Sequence, residues 1–271
     1  MDLRPWALAF TLLDWPERQK ADCWAALEAG FQPILPPEAA EEVARLQADQ
    51  FLHHQAARDR GARLLLPGDP GVDALLAPLP YPVALWVRGT LPPVGPRIAV
   101  VGSRRASSGG KARTRAWAKT LAEAGVAVLS GLARGIDGAA HEGALEAHGG
   151  ATGKAATWGV LGSGLDHPYP PEHKPLMDRM VQAGGGVLTP FPPEALPLKW
   201  HFPRRNWLLA AWVDAVLVME AARASGSLVT AKLALDLGKE LYVVPGSEGT
   251  DALLDEGAAH PCTEVGDLLA G

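Results

Sequence analysis

Two cysteines, Cys23 and Cys262, are all that the 271 residues contain. So few exclude a disulfide framework and a Cys-rich zinc site, and they fit a reducing compartment. No uninterrupted apolar run reaches the roughly 18 residues that a membrane-spanning helix requires. The apolar start, MDLRPWALAFTLLDWPERQ, meets Asp14 early and lacks the small-residue cleavage site of a secretory leader, so it reads as a buried helix. The expectation is a cytoplasmic protein with no membrane partner, no metal site and no cofactor.

Acidic residues outnumber basic ones, giving a formal net charge of -5, which argues against indiscriminate attraction to phosphate. Carboxylates are nevertheless missing from two stretches. Arg97, Arg104, Arg105, Lys111, Arg113, Arg115 and Lys119 follow one another with no Asp or Glu among them. Lys199, His201, Arg204 and Arg205 lie in a second acid-free stretch, from Pro197 to Val213. Positive charge is therefore gathered into two patches on an acidic background.

Familiar signatures of enzyme chemistry are also absent. The first glycine turn of the main domain reads GSRRASSGG, not GxGxxG, which disfavours an ordinary NAD site. Ala155 follows Lys154 in GGATGKAAT, where a phosphate loop requires Ser or Thr. No serine sits in a GxSxG elbow, and His141 and His148 are seven residues apart, unlike HExxH. His148 reads as a solvated residue at a helix end. Asp137 suits either a general base or, more simply, a helix N-cap.

What the sequence does contain is a change of rhythm. Residues 1 to 58 carry helix-like periodicity with turns at Asp14-Trp15-Pro16 and from Gly30 to Pro37, predicting three short helices. A strand is expected in VALWVRG. After Pro96, short apolar runs alternate with helical segments, as in parallel βαβ units. Six strands are predicted: Ile98 to Val101, Val126 to Leu129, Trp158 to Leu161, Val187 to Thr189, Ala215 to Met219 and Leu241 to Val244. The fold class is α/β, a Rossmann-like and mostly parallel sheet at 59–271 behind a small helical module at 1–58.

Ligands of open α/β sheets bind at the carboxyl ends of the strands. Five of those ends carry Gly and Ser: Gly102-Ser103-Arg104, Ser130-Gly131, Gly162-Ser163-Gly164, Ser225-Gly226-Ser227 beyond Glu220, and Pro245-Gly246-Ser247. Glycine lets backbone approach closely, and N–H groups at a helix start attract anions. In WHFPRRNWLLAAW, Arg204, Arg205 and Asn206 stand beside aromatic rings at a helix entry marked by Pro203. Guanidinium groups grip phosphate and rings stack on bases, so a nucleotide or nucleic-acid site is expected.

Together, VGSR at 101–104, SGLARGIDGAAHEGAL at 130–145, LGSGLDHPYP at 161–170, HFPRRN at 201–206, SGSLVTA at 225–231 and VPG at 244–246 resemble the DNA-processing protein A (DprA/Smf) family. The resemblance runs from about Leu64 to Ala258 and implies an extended Rossmann fold. It implies a non-enzymatic protein that binds and protects incoming single-stranded DNA, loads the RecA recombinase in natural transformation, and works as a homodimer. Its DNA-binding set is Gly102, Ser103, Arg104, Ser130, Gly131, Gly162, Ser163, Gly164, Arg204, Arg205, Asn206, Ser225, Gly226 and Ser227.

The chain departs from the family pattern in several places. Trp207 stands where another Arg often follows HFPRRN, Thr189-Pro190 replaces a frequent Ser-Glu, and ATGKAA at 151–156 reads as a short insertion. The C-terminal winged-helix domain of some relatives is not expected. The competing reading is a nucleotide-binding enzyme of the phosphoribohydrolase type, whose PGGxGT loop has its nearest counterpart in PGSEGT at 245–250.

Overall fold

The computed structural model describes residues 4–13, 15–147 and 157–269; His148 and the 151–156 stretch lie outside them. The chain begins with four helices, α1 (Arg4–Leu12), α2 (Glu17–Glu28), α3 (Pro37–Ala48) and α4 (Gln50–Arg58). They are one more than expected, because Asp49 closes α3 and at once opens α4. Next come β1 (Arg63–Leu65), the one-turn α5 (Asp73–Leu76) and β2 (Leu85–Gly89).

The alternating part then runs β3 (Arg97–Val101), α6 (Ser108–Glu123), β4 (Ala127–Ser130), α7 (Ile136–Leu145), β5 (Thr157–Val160), α8 (Lys174–Gln182), β6 (Gly186–Thr189) and α9 (His201–Ala211). It closes with β7 (Ala215–Val218), α10 (Gly226–Asp236), β8 (Glu240–Val243), α11 (Glu248–Asp255) and β9 (His260–Pro261).

All six expected strands of the alternating part are present, each shifted by a residue at most at its ends, and VALWVRG supplies β2. One sheet contains them in the order β1-β2-β6-β5-β4-β3-β7-β8-β9. It is parallel from β6 to β9, while β2 runs antiparallel to both β1 and β6. The outermost strands β1 and β9 have three and two residues and lacked a readable pattern. Short edges, one of them ending in Pro261, offer little unpaired backbone.

Alternation along β3 explains how the layers attach. Ile98 and Val100 pack with Leu121 of α6 and Ile136 and Ala140 of α7, whereas Ala99 and Val101 pack with Leu208 of α9 and Ala231 of α10. Helices therefore cover both faces, which is why the central strands are apolar throughout. The Rossmann-like fold with preceding helices is the one expected. α1 lies deep: Trp6 and Phe10 join the core of α9, and Ala7 and Leu8 pack on Leu64, Leu66 and Trp86. Among the described residues, no helix is long and apolar enough to cross a membrane.

Candidate nucleic-acid interface

After β3 the chain builds outward through β4, β5 and β6, then returns by α9 to lay β7 on the other side of β3. At such a switch point the loops diverge and leave a crevice. Here it is a cleft of about 850 Å³, lined by Gly102 to Arg105 after β3, Gly131 and Ala133 after β4, and residues after β7. Phe202, Arg205 and Asn206 from the first turns of α9 close it.

Close packing aims the first loop. A Cβ on Gly102 would stand 2.6 Å from Ile136 Cγ1 and 2.8 Å from the Glu220 carbonyl oxygen, so only glycine fits. The next amide, Ser103 N, donates to that carbonyl at 2.6 Å, and Ser103 Oγ accepts from Arg105 N at 3.1 Å. The turn leaves Arg104 and Arg105 exposed, with the Arg104 guanidinium 5.5 Å from the centre of the Phe202 ring. Lys199 is exposed and also lines the cleft. Among the described residues, neither Arg105 nor Lys199 forms an ion pair, whereas Arg115 pairs with Glu146 and Lys119 with Glu123.

The N-terminus of α10 opens into the same cleft. Ser225 caps it, accepting from Ser227 N at 3.3 Å with the two hydroxyls 2.7 Å apart. A Cβ on Gly226 would meet nothing within 4 Å, so the backbone there is open to an approaching group. The positive end of the helix dipole and its N–H groups make this a favourable place for an anion.

The paired arginines do not act together. Successive helical residues are about 100° apart around the axis, so neighbours face different surroundings. Arg204 turns to α1, where Nη1 donates to the Thr11 carbonyl at 2.9 Å and Nη2 to the Phe10 carbonyl at 3.2 Å. Arg205 is buried beneath the cleft, donating to the carbonyls of Val160 at 2.6 Å and of Gly131, and through Nε to Asn206 Oδ1 at 2.8 Å. It thereby ties the ends of β4 and β5 to α9. A Cβ on Gly131 would lie 2.6 Å from this guanidinium, which accounts for that glycine. Trp207 faces Tyr81, ring centres 6.0 Å apart, on the side of the N-terminal helices.

Burial pulls Arg205 down to about 10, which leaves it cationic at neutral pH. Asp137 is also buried, and burial pushes its carboxyl up while the charge of Arg205 opposes the rise. Asp137 is not the N-cap of α7. That place belongs to Gly135 at φ 77°, where a side chain would collide with the backbone of Arg104 at 2.9 Å. From inside the first turn, Asp137 Oδ2 accepts from Ala133 N at 3.3 Å.

Other expected site residues lie beneath or beside the cleft. Ser130 is fully buried and its Oγ donates to the Val100 carbonyl at 2.6 Å. A Cβ on Gly162 would meet the Phe202 ring at 2.8 Å, and Ser163 is buried with its carbonyl accepting from Thr189 Oγ1 at 2.8 Å. Thr189 thus secures this turn. Gly164 donates to the Ala195 carbonyl at 2.8 Å and is packed against Pro192 and Pro193. The PGSEGT loop is taken up by capping: Gly246 N donates to Asp251 at 2.8 Å, and Ser247 and Thr250 form a capping box for α11.

One residue that no sequence motif marks is Glu220. Its carboxylate accepts from Ser107 N at 3.0 Å and Ser107 Oγ at 2.8 Å, so it occupies the N-terminus of α6. This is the helix end at which a Rossmann fold ordinarily holds a phosphate. With an internal carboxylate there, the cleft offers an anion the start of α10 instead. Glu220→Gln is expected to destabilise the chain by about 1 kcal/mol, seen as a lower urea midpoint at unchanged m-value. An unchanged midpoint would show that the carboxylate does not hold this helix end.

Comparison with known proteins identifies relatives of the whole fold. The model of the family described as DNA recombination-mediator protein A matches residues 69–271. Protein Smf of Escherichia coli is 43% identical, over 68% of this chain and 50% of its own length. A putative DNA processing protein DprA of Mycobacterium tuberculosis is 37% identical, over 86% of this chain and 68% of its own. The chain spans about half the length of several such relatives.

Among solved structures, DNA processing protein A from Streptococcus pneumoniae superposes with TM-score 0.73 at 30% identity, covering 95% of this chain and 93% of its own. DNA processing protein A from Helicobacter pylori, described for its single-stranded DNA binding mode, gives TM-score 0.66 at 27% identity, covering 77% and 94%.

Proposed function

The chain belongs to the DNA recombination-mediator protein A family, and from that premise we propose that its cleft binds single-stranded DNA. The observation that carries the proposal is the distribution of charge around the cleft. Arg104, Arg105 and Lys199 stand exposed on its walls, the start of α10 opens into it, and the Phe202 ring lines it beneath the Arg104 guanidinium. The helix end and cations suit phosphates, and the ring suits a base. Gly102, Ser103, Gly131, Asn206, Ser225, Gly226 and Ser227 contribute close backbone approach and polar contacts. Arg205 acts from beneath as a positioning residue.

The role is that of a mediator, not an enzyme. Incoming strands are bound, protected from nucleases and handed to a RecA recombinase in the cytoplasm during natural transformation, by a homodimer whose 59–271 body holds the strand. The single-stranded DNA binding described for the Helicobacter pylori protein supports this reading. Labelled single and double strands titrated across a salt series test it. Single strands are expected to bind more tightly, because duplex bases are already stacked on one another. Equal or tighter duplex binding would overturn the proposal, and release of free base from nucleoside monophosphates would restore the hydrolase reading. Delivery of RecA onto strands coated by single-strand binding protein tests the mediator step, and light scattering the dimer.

A further inference from the structure

The segment from Leu196 to Arg205 is a partition with two lined sides. Pro197, Lys199, Phe202 and Arg205 face the cleft. Leu196, Leu198, Trp200 and Arg204 face a second cavity of about 450 Å³, closed on its far side by Trp15, Lys20 and the end of α1. That volume is within the range of small-molecule and cofactor sites.

Three large apolar side chains of one short stretch remain in solvent at this cavity: Trp200 is 57% exposed, Leu196 55% and Leu198 43%. Leaving such surface wet forgoes hydrophobic stabilisation, and a cluster of it marks a place meant to be covered. The rings behind it are already ordered. Phe191 stacks on His201 with centres 3.8 Å apart, and Trp200 packs edge-on against His201 at 4.0 Å.

The charged groups that line the cavity are engaged within the protein. Lys20 Nζ is 3.9 Å from Glu17 Oε1, and Arg204 donates to the two carbonyls at the end of α1. Burial also holds His201 toward its neutral form. A phosphate would meet the Glu17 carboxylate, whereas a flat, uncharged ring with a polar edge fits the apolar and aromatic lining. An occupant must therefore be anionic in the cleft and flat and neutral across the partition. A single strand has this make-up, with phosphates along its backbone and bases to its side.

We propose that the cavity walled by Trp15, Phe191 and Trp200 is a base-binding subsite, which receives unstacked bases of the strand whose phosphates lie in the neighbouring cleft. The inference rests on the single-strand reading above and adds to it a second, uncharged point of recognition.

The test compares the full-length parent with Trp200→Ala and Trp200→Phe. The probes are oligothymidylates of increasing length and matched strands carrying abasic residues. In the parent, affinity should rise again once a strand is long enough to cross the partition. Trp200→Ala should remove that rise, about a tenfold loss on long strands, and Trp200→Phe should restore most of it. Abasic residues should weaken the parent but cause Trp200→Ala no further loss. The salt slope should be the same for all three proteins, because no phosphate contact has been removed.

Parental affinity of Trp200→Ala for long strands would overturn the subsite while leaving the cleft reading intact. A smaller salt slope for that variant would also overturn it, by placing Trp200 in the phosphate grip. A parent that binds no single strand at all would overturn both readings. Thermal unfolding at the parental temperature is expected for both variants, since Trp200 is largely exposed.

Discussion

Arg205→Ala is expected to lower stability by about 3–5 kcal/mol, because it strips three buried acceptors of a charged donor at about 1–3 kcal/mol each. The guanidinium supplies donors to the carbonyls of Gly131 and Val160 and to Asn206 Oδ1, all at the base of the cleft. Alanine leaves these acceptors without it and leaves Asp137 buried beside a vacated cation site. For a chain of this size, the loss corresponds to a fall of about 10 °C in Tm. Arg205→Lys should not restore it, because one ammonium cannot reproduce a planar fork that spans two strand ends and α9. A Tm within a degree or two of the parent would refute this placement of Arg205. Loss of DNA binding in Arg205→Ala must accordingly be measured on folded protein, since the residue organises the cleft before it can touch a strand.

The buried Asp137 carboxyl predicts how that loss varies with pH. Burial raises the Asp137 carboxyl and Arg205 opposes the rise. A carboxyl raised in the folded state contributes stability below its unfolded value of about 4, and this is lost as pH climbs through the folded value. Removing Arg205 leaves burial unopposed and carries the folded value higher. The difference in stability between parent and Arg205→Ala should therefore be smaller at about pH 5 than at about pH 8. Asp137→Asn added to Arg205→Ala should flatten the difference. A gap that is equal at both pH values would mean that Asp137 is not the group left uncompensated.

The β3 to β8 core was legible because strands covered on both faces must be apolar throughout, and runs such as IAVV and AVLV have no helical period. The turns were legible for a related reason: glycine and serine recur where strands turn into helices. Depth within the rim was not. Ser130 and Ser225 look alike in sequence, yet one is sealed in the core by its bond to Val100 and the other caps α10 at the mouth of the cleft.

Adjacency misled in the same way at Arg204 and Arg205. Two residues side by side in sequence suggest one function, but helical geometry sends one guanidinium to α1 and the other under β4 and β5. The absence of nearby acid also misled, because the partners of Arg205 are backbone carbonyls of Gly131 and Val160, from other βα units. Glu220 gave no signal, since its role exists only after β7 has been laid beside β3. Trp207 likewise became readable only once Tyr81 was seen facing it.

The exposed cations separate binding from folding. Removing Arg105 and Lys199 together by alanine substitution should weaken single-strand binding about 100-fold at low salt, taking each charge-assisted contact as roughly tenfold. It should also reduce the log-log salt slope by about 1.4, at 0.7 for each phosphate no longer neutralised. The two effects are linked, since the affinity lost is the part that salt would otherwise remove, so parent and variant should converge as salt rises. Stability should stay within about 0.5 kcal/mol, because both side chains are exposed and neither forms an ion pair among the described residues. Arg105→Glu with Lys199→Glu should weaken binding further, since it adds repulsion. If affinity fell while the slope stayed parental, these side chains would act on bases or on loop shape, and the phosphate path would have to run elsewhere. The contrast with Arg205→Ala is the decisive comparison: a folded protein with a shallower salt dependence in one case, and a destabilised protein in the other.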